Sequence, residues 1–546
     1  MYPPGLEFIE SFLACLLAGI IAVPAYPPRR NRSADRLRGI IEDAKPSLIL
    51  TTQAVTSNIN AELLGQGSAV PCLATDLLAD DEKAQGDFAP PALAHDSIAF
   101  LQYTSGSTGN PRGVIITHEN IVSNELMIEA NFGHTKNSVV ISWLPVFHDM
   151  GLIGGVLQPL FVGFPSILLA PFSFVKEPIR WLRAIAEHRG TTTGAPNSAW
   201  DHAVKHVTQE MKAGLDLSSL CVAYNGAEPV RAETLRRFSE AFSDCGFRPE
   251  AFFPCYGLAE STLFVAGGPV HLAPVKMCVD ASELESSRIR LVPPSDNQAK
   301  WLVSSGKIAP DTTIVIADVQ TGQPCGPDKV GEIRIHSKAV AKGYRNRPDE
   351  SDAVFGNRVS CKGQKAYLRT GDLGFVRDGE LFVAGRLKDI IILRGRNVYP
   401  QDVESAIESA LPSIGANCCA AFAVEFGEEE KLAAVVEADR DLTRAARDLG
   451  PGDGNLTDRQ LTKLWGVVDT LCQRILSEIE IAVQTVTFVR PGTFLRTSSG
   501  KVRRGATRAA LLAGSLDIVF AWDAGSPGRL SRTTPFSSFP QLSGRN

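Results

Sequence analysis

Residues 103–113 have the composition of an anion-binding loop. They read Tyr-Thr-Ser-Gly-Ser-Thr-Gly-Asn-Pro-Arg-Gly. Two glycines let the backbone approach a ligand closely, and four hydroxyl groups stand beside main-chain N–H groups. The candidate binding positions are Thr104, Ser105, Gly106, Ser107, Thr108 and Gly109. The Gly-Lys-Ser/Thr ending of a Walker loop is missing from this stretch, so a P-loop NTPase is disfavoured and a phosphate cradle of another kind is predicted.

The elements around this loop predict an α/β fold. Ser97–Tyr103 is predicted as a strand leading into the loop, and Val114–Thr117 as the strand that follows it. Strand-like and helical patterns alternate to about residue 385, which favours mixed sheets flanked by helices. Beyond that point the pattern is that of a smaller α+β unit, in which Thr457 and Gln460 predict a capping box at a helix start.

Three segments of the chain follow from these patterns. We predict a large N-terminal domain over residues 1–386 and a smaller α+β domain over 387–515. The last stretch, 516–546, is predicted to be a disordered tail, because it turns to serine, proline, glycine and arginine from about Asp523 onwards.

Composition narrows the classes of function. Of the 546 residues, 44% are hydrophobic and 21% are charged, as in an ordinary globular protein. The 55 basic and 60 acidic residues leave a net charge of −5, so no nucleic-acid partner is predicted. Eleven cysteines without metal-site spacing indicate reduced thiols in a cytoplasmic protein. The apolar run from Phe12 to Val23 is too short to span a bilayer, so no transmembrane segment is predicted.

Five further motifs follow the loop in order along the chain. They are Asn225-Gly226-Ala227-Glu228-Pro229, Tyr256-Gly257-Leu258-Ala259-Glu260, Tyr367-Leu368-Arg369-Thr370-Gly371-Asp372, Gly385-Arg386-Leu387-Lys388-Asp389 and Thr497-Ser498-Ser499-Gly500-Lys501. Together with residues 103–113, they resemble the adenylate-forming superfamily of acyl- and aryl-CoA synthetases, luciferases and peptide-synthetase adenylation domains. The resemblance implies that a carboxylate attacks the α-phosphorus of ATP and that pyrophosphate leaves.

The resemblance also implies where the nucleotide binds. Residues 104–109 would hold the triphosphate. Tyr256 would stack on adenine beside Gly257, since an aromatic ring offers a large flat contact area. The rest of the adenine pocket would be lined by the segment that contains Asn225, Gly226, Ala227 and Glu228.

Four charged residues receive roles from the same resemblance. Glu260 would coordinate Mg²⁺, a cation that prefers oxygen ligands and bridges phosphates. Asp372 would accept hydrogen bonds from the ribose hydroxyls, and Arg386 would reach ribose or phosphate as a fixed cation. Lys501 would neutralise the charge that develops in the transition state.

Within the superfamily, the sequence is most similar to the fatty acyl-AMP ligases. The similarity is carried by residues 144–155 (Leu-Pro-Val-Phe-His-Asp-Met-Gly-Leu-Ile-Gly-Gly), 157–160 (Leu-Gln-Pro-Leu), 225–230 and 395–402. It implies that His148 lies where the acyl carboxylate meets the nucleotide. It also implies that this segment lines a tunnel for the acyl chain. The alternative is that its glycines only allow close packing at the start of a helix. The tunnel residues would be Gly151, Gly154, Gly155 and Leu157.

The acceptor of the acyl group is also implied by this likeness. The segment from Phe355 to Tyr367 is longer than CoA ligases usually carry, and fatty acyl-AMP ligases hold an insertion there that restrains the small domain. Lys388 would be the hinge about which that mobile domain rotates. Because such an insertion disfavours CoA, the implied acceptor is the phosphopantetheine thiol of an acyl carrier protein in lipid, polyketide or lipopeptide synthesis.

Three features depart from the family pattern. The sequence from Tyr2 to Phe8 matches a segment that lies well inside the first subdomain of relatives, so a first segment is expected to be missing. Arg112 stands where lysine is usual, and Gly194-Ala195-Pro196-Asn197 stands where two glycines are usual.

Three alternatives to a fatty acyl-AMP ligase stay open: a long-chain fatty acyl-CoA synthetase, a peptide-synthetase adenylation domain, and a non-catalytic nucleotide-binding remnant.

Overall fold

The structure is a computed structural model whose chain divides into two compact units. The first comprises Met1–Asp280 and Ile289–Ala384, and the second comprises Ala281–Arg288 and Gly385–Asn546. The residues it describes are 1–28, 34–64, 70–78, 88–104, 111–358, 365–393, 396–415, 417–426, 429–447, 449, 456–497, 500–526 and 530–532.

Helices are distributed through both units. The α-helices of the described residues are α1 (Leu6–Leu17), α2 (Asp35–Ala44), α3 (Gln53–Ile59), α4 (His118–Phe132), α5 (Gln158–Val162), α6 (Pro171–Lys176), α7 (Ile179–Glu187), α8 (Asn197–His206), α9 (Ala232–Phe242), α10 (Ala281–Glu285), α11 (Pro348–Phe355), α12 (Pro400–Ala410), α13 (Arg440–Ala445), α14 (Asp458–Ile479) and α15 (Arg504–Leu512). Two segments are π-helical, Asn60–Leu64 and Met150–Leu157. Single 3₁₀ turns include Ala259–Ser261 and Leu387–Asp389.

Strands are equally widespread. They are β1 (Ile49–Thr51), β2 (Cys72–Ala74), β3 (Ile98–Thr104), β4 (Arg112–Thr117), β5 (Val140–Ser142), β6 (Ser166–Leu168), β7 (Thr192–Ala195), β8 (Val222–Asn225), β9 (Phe252–Gly257), β10 (Phe264–Gly267), β11 (Lys276–Asp280), β12 (Ala299–Val303), β13 (Lys307–Ile308), β14 (Thr313–Ala317), β15 (Gly331–His336), β16 (Asn357–Arg358), β17 (Ala366–Arg377), β18 (Glu380–Arg386), β19 (Ile391–Leu393), β20 (Arg396–Val398), β21 (Cys419–Phe426), β22 (Glu429–Glu437), β23 (Val483–Val489), β24 (Ile518–Asp523) and β25 (Leu530–Ser531).

One large mixed sheet organises the first unit. Its strand order is β14-β15-β17-β18-β13-β10-β9-β8-β7-β5-β6, with β16 paired to β17. The run β6-β5-β7-β8-β9 is parallel, and β7 and β8 are buried along their whole length. Parallel strands of this kind need helices on both faces, because each strand is apolar on both sides. The predicted α/β architecture is confirmed.

Aromatic side chains hold β7 in the sheet. The fully buried rings of Trp181 and Trp200 lie 4.8 Å apart. The indole N–H of Trp181 donates to the Thr193 hydroxyl at 2.8 Å, and that of Trp200 donates to the Ala195 carbonyl at 3.1 Å. Buried indoles need such acceptors, so β7 is fixed by directed bonds as well as by packing.

The strand pair predicted around the anion-binding loop is present. β3 and β4 are antiparallel, and Thr104 pairs with Arg112 while Tyr103 pairs with Gly113. Residues 105–110 lie outside the described residues. The two strands hold the ends of that loop side by side, and β4 starts two residues earlier than predicted because Arg112 continues the ladder.

The second unit has its own sheet and core. Its strands follow the order β21-β22-β23-β24-β25, and β22 and β23 are parallel. The predicted capping box opens α14: the Thr457 side chain accepts from the Gln460 N–H at 3.3 Å, and Gln460 Oε1 accepts from the Thr457 N–H at 2.8 Å. Leu464, Val468 and Ile475 on one face of this helix are buried. The smaller α+β architecture is confirmed.

The prediction of a disordered tail over 516–546 is wrong for its first part. Ile518–Asp523 forms β24, which pairs with β23 along Thr485–Val489, and Leu530–Ser531 adds β25. The apolar run in β24 covers the core of the second unit, and Phe520 is fully buried. The prediction rested on the serine, proline, glycine and arginine content of the whole tail, which gave no indication of this short apolar strand. Residues 533–546 lie outside the described residues.

Among the helices that the structure describes, none combines the length and the apolar character needed to cross a membrane.

Substitution of the capping residue tests the start of α14. Thr457→Ala is expected to destabilise the first turn by about 1 kcal/mol, because the Gln460 N–H loses its acceptor. Hydrogen–deuterium exchange should show faster exchange confined to the amides of that turn. Thr462→Ala is the matched control, since the Thr462 hydroxyl donates to the Asp458 carbonyl within the same helix and caps no N–H group among the described residues. Equal effects of both substitutions would contradict the capping role.

Candidate active site

Three parallel strands of the first unit end side by side. Ala195 at the end of β7 pairs with Asn225 at the end of β8, which pairs with Pro254 in β9. In open α/β sheets, ligands bind outside the carboxyl ends of such strands. The segments that follow β7 and β8 and the end of β9 carry Asn197, residues 226–228 and Tyr256, so the predicted adenine segment and Tyr256 meet at one edge.

The buried amide of Asn197 connects these segments. Its Nδ2 donates to Glu228 Oε1 at 3.0 Å and to the Pro229 carbonyl at 2.9 Å. Its Oδ1 accepts from Asn225 Nδ2 at 3.0 Å and from the Arg231 N–H at 3.1 Å. The sequence marked this position only as a departure from the family, and the one signal for its role was a polar amide directly after a strand and a proline.

The turn after β8 has a constrained backbone. A Cβ on Gly226 would lie 2.8 Å from Cys255 Sγ, which leaves no room for a side chain. Ala227 has φ +76°, a left-handed conformation that costs energy for a residue with a Cβ. Burial raises the pKa of Cys255 to about 12, so an uncharged thiol packs beneath this turn.

Tyr256 and Asp372 are joined by a hydrogen bond. The buried Tyr256 hydroxyl donates to Asp372 Oδ2 at 2.8 Å. Asp372 lies in a bulge of β17: Glu332 pairs with Leu373 and Arg334 with Arg369, so residues 370–372 stand opposite Ile333 alone. Gly371 provides the positive φ of +69° that this bulge requires. The two residues predicted to contact adenine and ribose are therefore neighbours.

Gly257 ends β9 next to this pair. A Cβ at this position would overlap the Leu263 carbonyl oxygen. Glycine is needed here because β9 and β10 approach closely beside Tyr256.

Glu260 is held by a tyrosine that the sequence did not assign. The Tyr344 hydroxyl donates to Glu260 Oε1 at 2.9 Å. The Arg112 guanidinium lies 5.5 Å from the centre of the Tyr344 ring, and Arg112 Nε lies 3.0 Å from Glu350 Oε2. Burial and the nearby charge of Glu260 raise the pKa of Tyr344, so its hydroxyl stays protonated as a donor. The ring of Phe355 packs 5.2 Å from that of Tyr344.

The phosphate-loop residues are only partly described. Thr104 ends β3 and is half-buried, whereas Ser105, Gly106, Ser107, Thr108 and Gly109 lie outside the described residues. Tyr103, next to Thr104, donates its hydroxyl to Asp43 Oδ2 at 2.6 Å. This bond anchors the start of the loop to α2.

His148 stands at the start of a π-helix. Its N–H donates to the Pro145 carbonyl at 3.0 Å, and its carbonyl accepts from the Leu152 N–H at 2.8 Å. The Asp149 side chain accepts from the Met150 N–H at 2.8 Å and so caps the helix Met150–Leu157. π-helical turns are rare and frequently occur at functional sites.

The glycines of the predicted acyl tunnel differ in their surroundings. A Cβ on Gly151 would overlap the Pro145 carbonyl oxygen, and one on Gly155 would lie 3.2 Å from Ser142 Oγ. A Cβ on Gly154 would lie 3.7 Å from the Tyr224 hydroxyl oxygen, which is ordinary contact. Leu157 is buried in the core. Gly151 and Gly155 thus allow close packing of the π-helix, and Gly154 is the position with room beside it.

The remaining predicted site residues belong to the second unit or to its boundary. Arg386 is the exposed last residue of β18, and Lys388 lies in the 3₁₀ turn Leu387–Asp389. The Lys501 carbonyl accepts from the Thr497 N–H at 2.8 Å. The Lys501 N–H in turn donates to the Thr497 hydroxyl at 3.0 Å.

The predicted insertion begins as a hairpin on the large sheet. Asn357 and Arg358 in β16 pair with Tyr367 and Ala366 in β17. Residues 359–364, which include Cys361, lie outside the described residues.

Known proteins match this chain over nearly its whole length. The AMP-binding enzyme family matches residues 1–345. The medium-chain-fatty-acid–acyl-carrier-protein ligase JamA of Moorena producens is 38% identical over 534 residues, which cover 96% of this chain and 86% of that protein. A long-chain-fatty-acid–AMP ligase of Mycobacterium marinum is 36% identical over 517 residues, which cover 92% of this chain and 85% of the relative.

A solved structure extends the comparison. The fatty acyl-adenylate ligase of Legionella pneumophila, in complex with acyl adenylate and pyrophosphate, is 37% identical with a TM-score of 0.69. The match covers 95% of this chain and 87% of that one. The fold is that of an adenylate-forming ligase. The chain belongs to the AMP-binding enzyme family, and the predicted resemblance to fatty acyl-AMP ligases is confirmed.

Substitution of Asn197 tests the arrangement of the sheet edge. Asn197→Ala removes four hydrogen bonds and releases the turn at 226–228, so we expect ATP to bind about 10-fold more weakly in isothermal titration calorimetry. Asn131→Ala is the matched control, because the Asn131 amide makes one bond to the Met127 carbonyl within α4. Wild-type affinity in the Asn197 variant would show that the turn does not shape the nucleotide site.

Proposed function

We propose that this protein activates a fatty acid with ATP, forms the acyl-adenylate with release of pyrophosphate, and passes the acyl group to the phosphopantetheine thiol of an acyl carrier protein. One observation carries the proposal. The hydrogen-bonded Tyr256 and Asp372 lie at the carboxyl edge of the sheet, where the Asn197 amide also holds the 226–228 turn. The relatives at 38% and 36% identity carry the names of a fatty-acid–acyl-carrier-protein ligase and a fatty-acid–AMP ligase.

The proposed nucleotide site matches the chemistry of adenosine. The Tyr256 ring offers an aromatic face to the base, and the Asp372 carboxylate offers acceptors to the ribose hydroxyls. The Asn225 side chain is fully buried, and among the described residues its Oδ1 has no hydrogen-bond partner. A buried acceptor of this kind is costly unless a ligand donor reaches it. An exocyclic amino group is such a donor.

The residues present fit a magnesium ion bound together with a triphosphate. Mg²⁺ is usually held by one or two carboxylates, with phosphate and water oxygens completing its shell. Glu260 supplies one carboxylate, and its bond to Tyr344 fixes the orientation of that group. When bound, the ion would neutralise phosphate charge. Among the described residues no cluster of three potential metal ligands exists, which agrees with an ion held mainly by its nucleotide.

The reaction is a displacement at the α-phosphorus. One carboxylate oxygen of the fatty acid forms a bond to that atom, and the bond from it to the bridging oxygen of pyrophosphate breaks. Negative charge grows on the oxygens around the phosphorus and on the leaving group. Lys501 would neutralise this charge, and Arg386 would hold the ribose or phosphate. His148 would orient the attacking carboxylate at the start of the π-helix.

The acyl chain is proposed to run beside Gly154. This glycine is the one of the three in the π-helix whose missing side chain leaves ordinary contact distance to Tyr224. Leu152, Ile153 and Leu157 of the same helix belong to the apolar core next to it. Burial of each methylene group of a fatty acid against such surface contributes about 0.8 kcal/mol.

The acceptor of the acyl group distinguishes the proposed function from that of a CoA synthetase. The insertion between β16 and β17 would restrain the small domain, with Lys388 as its hinge, so that CoA is disfavoured. The relative from Moorena producens is named as a ligase that joins a fatty acid to an acyl carrier protein. A cytoplasmic location stays a prediction.

Product analysis tests the whole proposal. The purified protein is incubated with dodecanoate, ATP and Mg²⁺, with CoA and a phosphopantetheinylated carrier protein in parallel reactions, and products are resolved by mass spectrometry. Acyl-AMP and acyl-carrier protein without acyl-CoA are expected. Abundant acyl-CoA would move the protein to the CoA synthetases. Activation of an amino acid alone would support a peptide-synthetase domain, and ATP binding without any product would support a non-catalytic nucleotide-binding remnant.

Two substitutions test the proposed catalytic charges. Lys501→Ala and Glu260→Ala are each expected to slow acyl-AMP formation by at least about 100-fold, because Lys501 would neutralise phosphate charge directly and Glu260 would hold the Mg²⁺ that does so. Circular dichroism and unfolding temperature should match the wild type. Lys463→Ala and Glu119→Ala are controls in which an exposed charge of the same type is lost. Wild-type rates in either test variant would contradict its assigned role.

Deletion of the insertion tests whether this segment excludes CoA as the acyl acceptor. Removal of residues 356–365 is expected to raise acyl-CoA formation while acyl-AMP formation continues, because the small domain gains freedom to rotate. Both products are measured in one reaction by mass spectrometry. A folded deletion variant that still makes acyl-AMP but no acyl-CoA would show that the insertion is not the barrier to CoA.

A further inference from the structure

Arg504 forms an ion cluster in the second unit. Its Nε lies 2.7 Å from Glu404 Oε1 and its Nη2 lies 2.6 Å from Glu404 Oε2, so the two groups meet in a bidentate pair. Its remaining nitrogen, Nη1, lies 3.0 Å from Asp389 Oδ2. One planar guanidinium therefore contacts two carboxylates from different parts of the chain, which lysine could not reproduce.

Glu404 anchors this cluster in the core. It lies in α12, its side chain is 2% exposed, and its Oε1 also accepts from the Ala421 N–H of β21 at 3.2 Å. A buried carboxylate is stable only when it is paired and hydrogen-bonded, so Glu404 requires Arg504. Burial lowers the pKa of Arg504, but the charges of Glu404 and Asp389 outweigh this effect and raise it overall.

Arg504 is linked to Lys501 by a short, closed piece of backbone. Arg496 and Val502 form an antiparallel bridge on either side of the loop, and the Arg503 N–H donates to the Leu495 carbonyl at 3.1 Å. Arg504 is the first residue of α15. The four residues from Lys501 to Arg504 therefore have little freedom, and a shift of the α15 start moves Lys501.

The second carboxylate lies next to the proposed hinge. Asp389 is the last residue of the 3₁₀ turn Leu387–Asp389, directly after Lys388. Its side chain is 29% exposed, compared with 2% for Glu404. The Asp389 contact is therefore weaker than the Glu404 contact, since water screens it more.

We propose that Arg504 is a positioning residue for adenylation: its bond to Glu404 fixes the start of α15 and with it Lys501, and its bond to Asp389 joins that start to the hinge turn. The inference rests on the proposed function through the role of Lys501. Lys501 is needed while pyrophosphate leaves and has no task once acyl-AMP exists. Loss of Arg504 must therefore slow the first half-reaction and spare the second.

Separate assays of the two half-reactions test this inference. The first measures acyl-AMP formation from dodecanoate, ATP and Mg²⁺, and the second measures transfer from synthetic dodecanoyl-AMP to the carrier protein. Arg504→Lys is expected to lower kcat of the first reaction by about 10-fold or more, with KM for ATP and dodecanoate within about 3-fold. The rate of the second reaction should stay within about 2-fold of the wild type.

Two further variants make the test specific. Asp389→Asn keeps the Glu404 pair and is expected to show a smaller loss, about 3-fold, in the first reaction alone. Arg508→Lys is the matched control on the same helix, because Arg508 is exposed and its Nε donates to the Ala423 carbonyl of β21, away from the Glu404 and Asp389 carboxylates. It should behave as the wild type in both reactions.

The results separate this inference from the proposed function. Equal loss in both half-reactions, or an unchanged first reaction in Arg504→Lys, would overturn the positioning role. If Arg504→Lys does not fold, Asp389→Asn tests the inference instead. Equal loss in both half-reactions, or an unchanged first reaction, would then overturn the positioning role. A wild-type protein that makes no acyl-AMP, or a fully active Lys501→Ala variant, would instead overturn the proposed function itself.

Discussion

A buried amide must satisfy its hydrogen bonds within the protein, and that requirement at Asn197 determines the shape of the sheet edge where we propose that the nucleotide binds. Asn197 is 1% exposed, and its four bonds reach Asn225 at the end of β8 and the turn that follows it. An unpaired amide at this depth would cost about 1–3 kcal/mol per group. The turn between Asn225 and Arg231, in which Ala227 is left-handed, is therefore held on both sides by bonds to one side chain.

A carboxylate of the first unit also depends on an uncharged neighbour for its orientation. Glu260 is oriented by the Tyr344 hydroxyl, and Tyr344 lies between Arg112 and Phe355. This arrangement gives Arg112 a structural reason to replace the usual lysine, because a planar guanidinium can cover an aromatic ring while it pairs with Glu350. The base of the insertion at Phe355 thus contacts the group that orients Glu260.

Local signals were sufficient to predict several elements. The capping box at Thr457, the strand pair around the phosphate loop and the α/β alternation depend on near neighbours in sequence, and the structure has them all. The pairing of Tyr256 with Asp372 agrees with roles that came from the family resemblance, not from spacing. Their contact needs the bulge at 370–372, which forms only when β17 pairs with β15.

Other features depend on partners that are distant in sequence. Asn197 looked like a local departure from the family, because its four partners lie about thirty residues further along the chain. β24 was missed because its apolar run is short and is stabilised by pairing with β23. The π-helical form of Met150–Leu157 has no periodic signature of its own. The close approach of Gly151 to the Pro145 carbonyl became visible only with the fold.

A crystal structure with a non-hydrolysable dodecanoyl-adenylate analogue would test the central claim most directly, namely that the sheet edge at Asn197 and the Tyr256–Asp372 pair bind the acyl-adenylate. We predict that the adenine lies on the Tyr256 ring, that the ribose hydroxyls bond to Asp372, and that the acyl chain passes Gly154. Adenosine bound elsewhere on the protein, or an acyl chain that leaves the site without contact to the π-helix, would contradict the account.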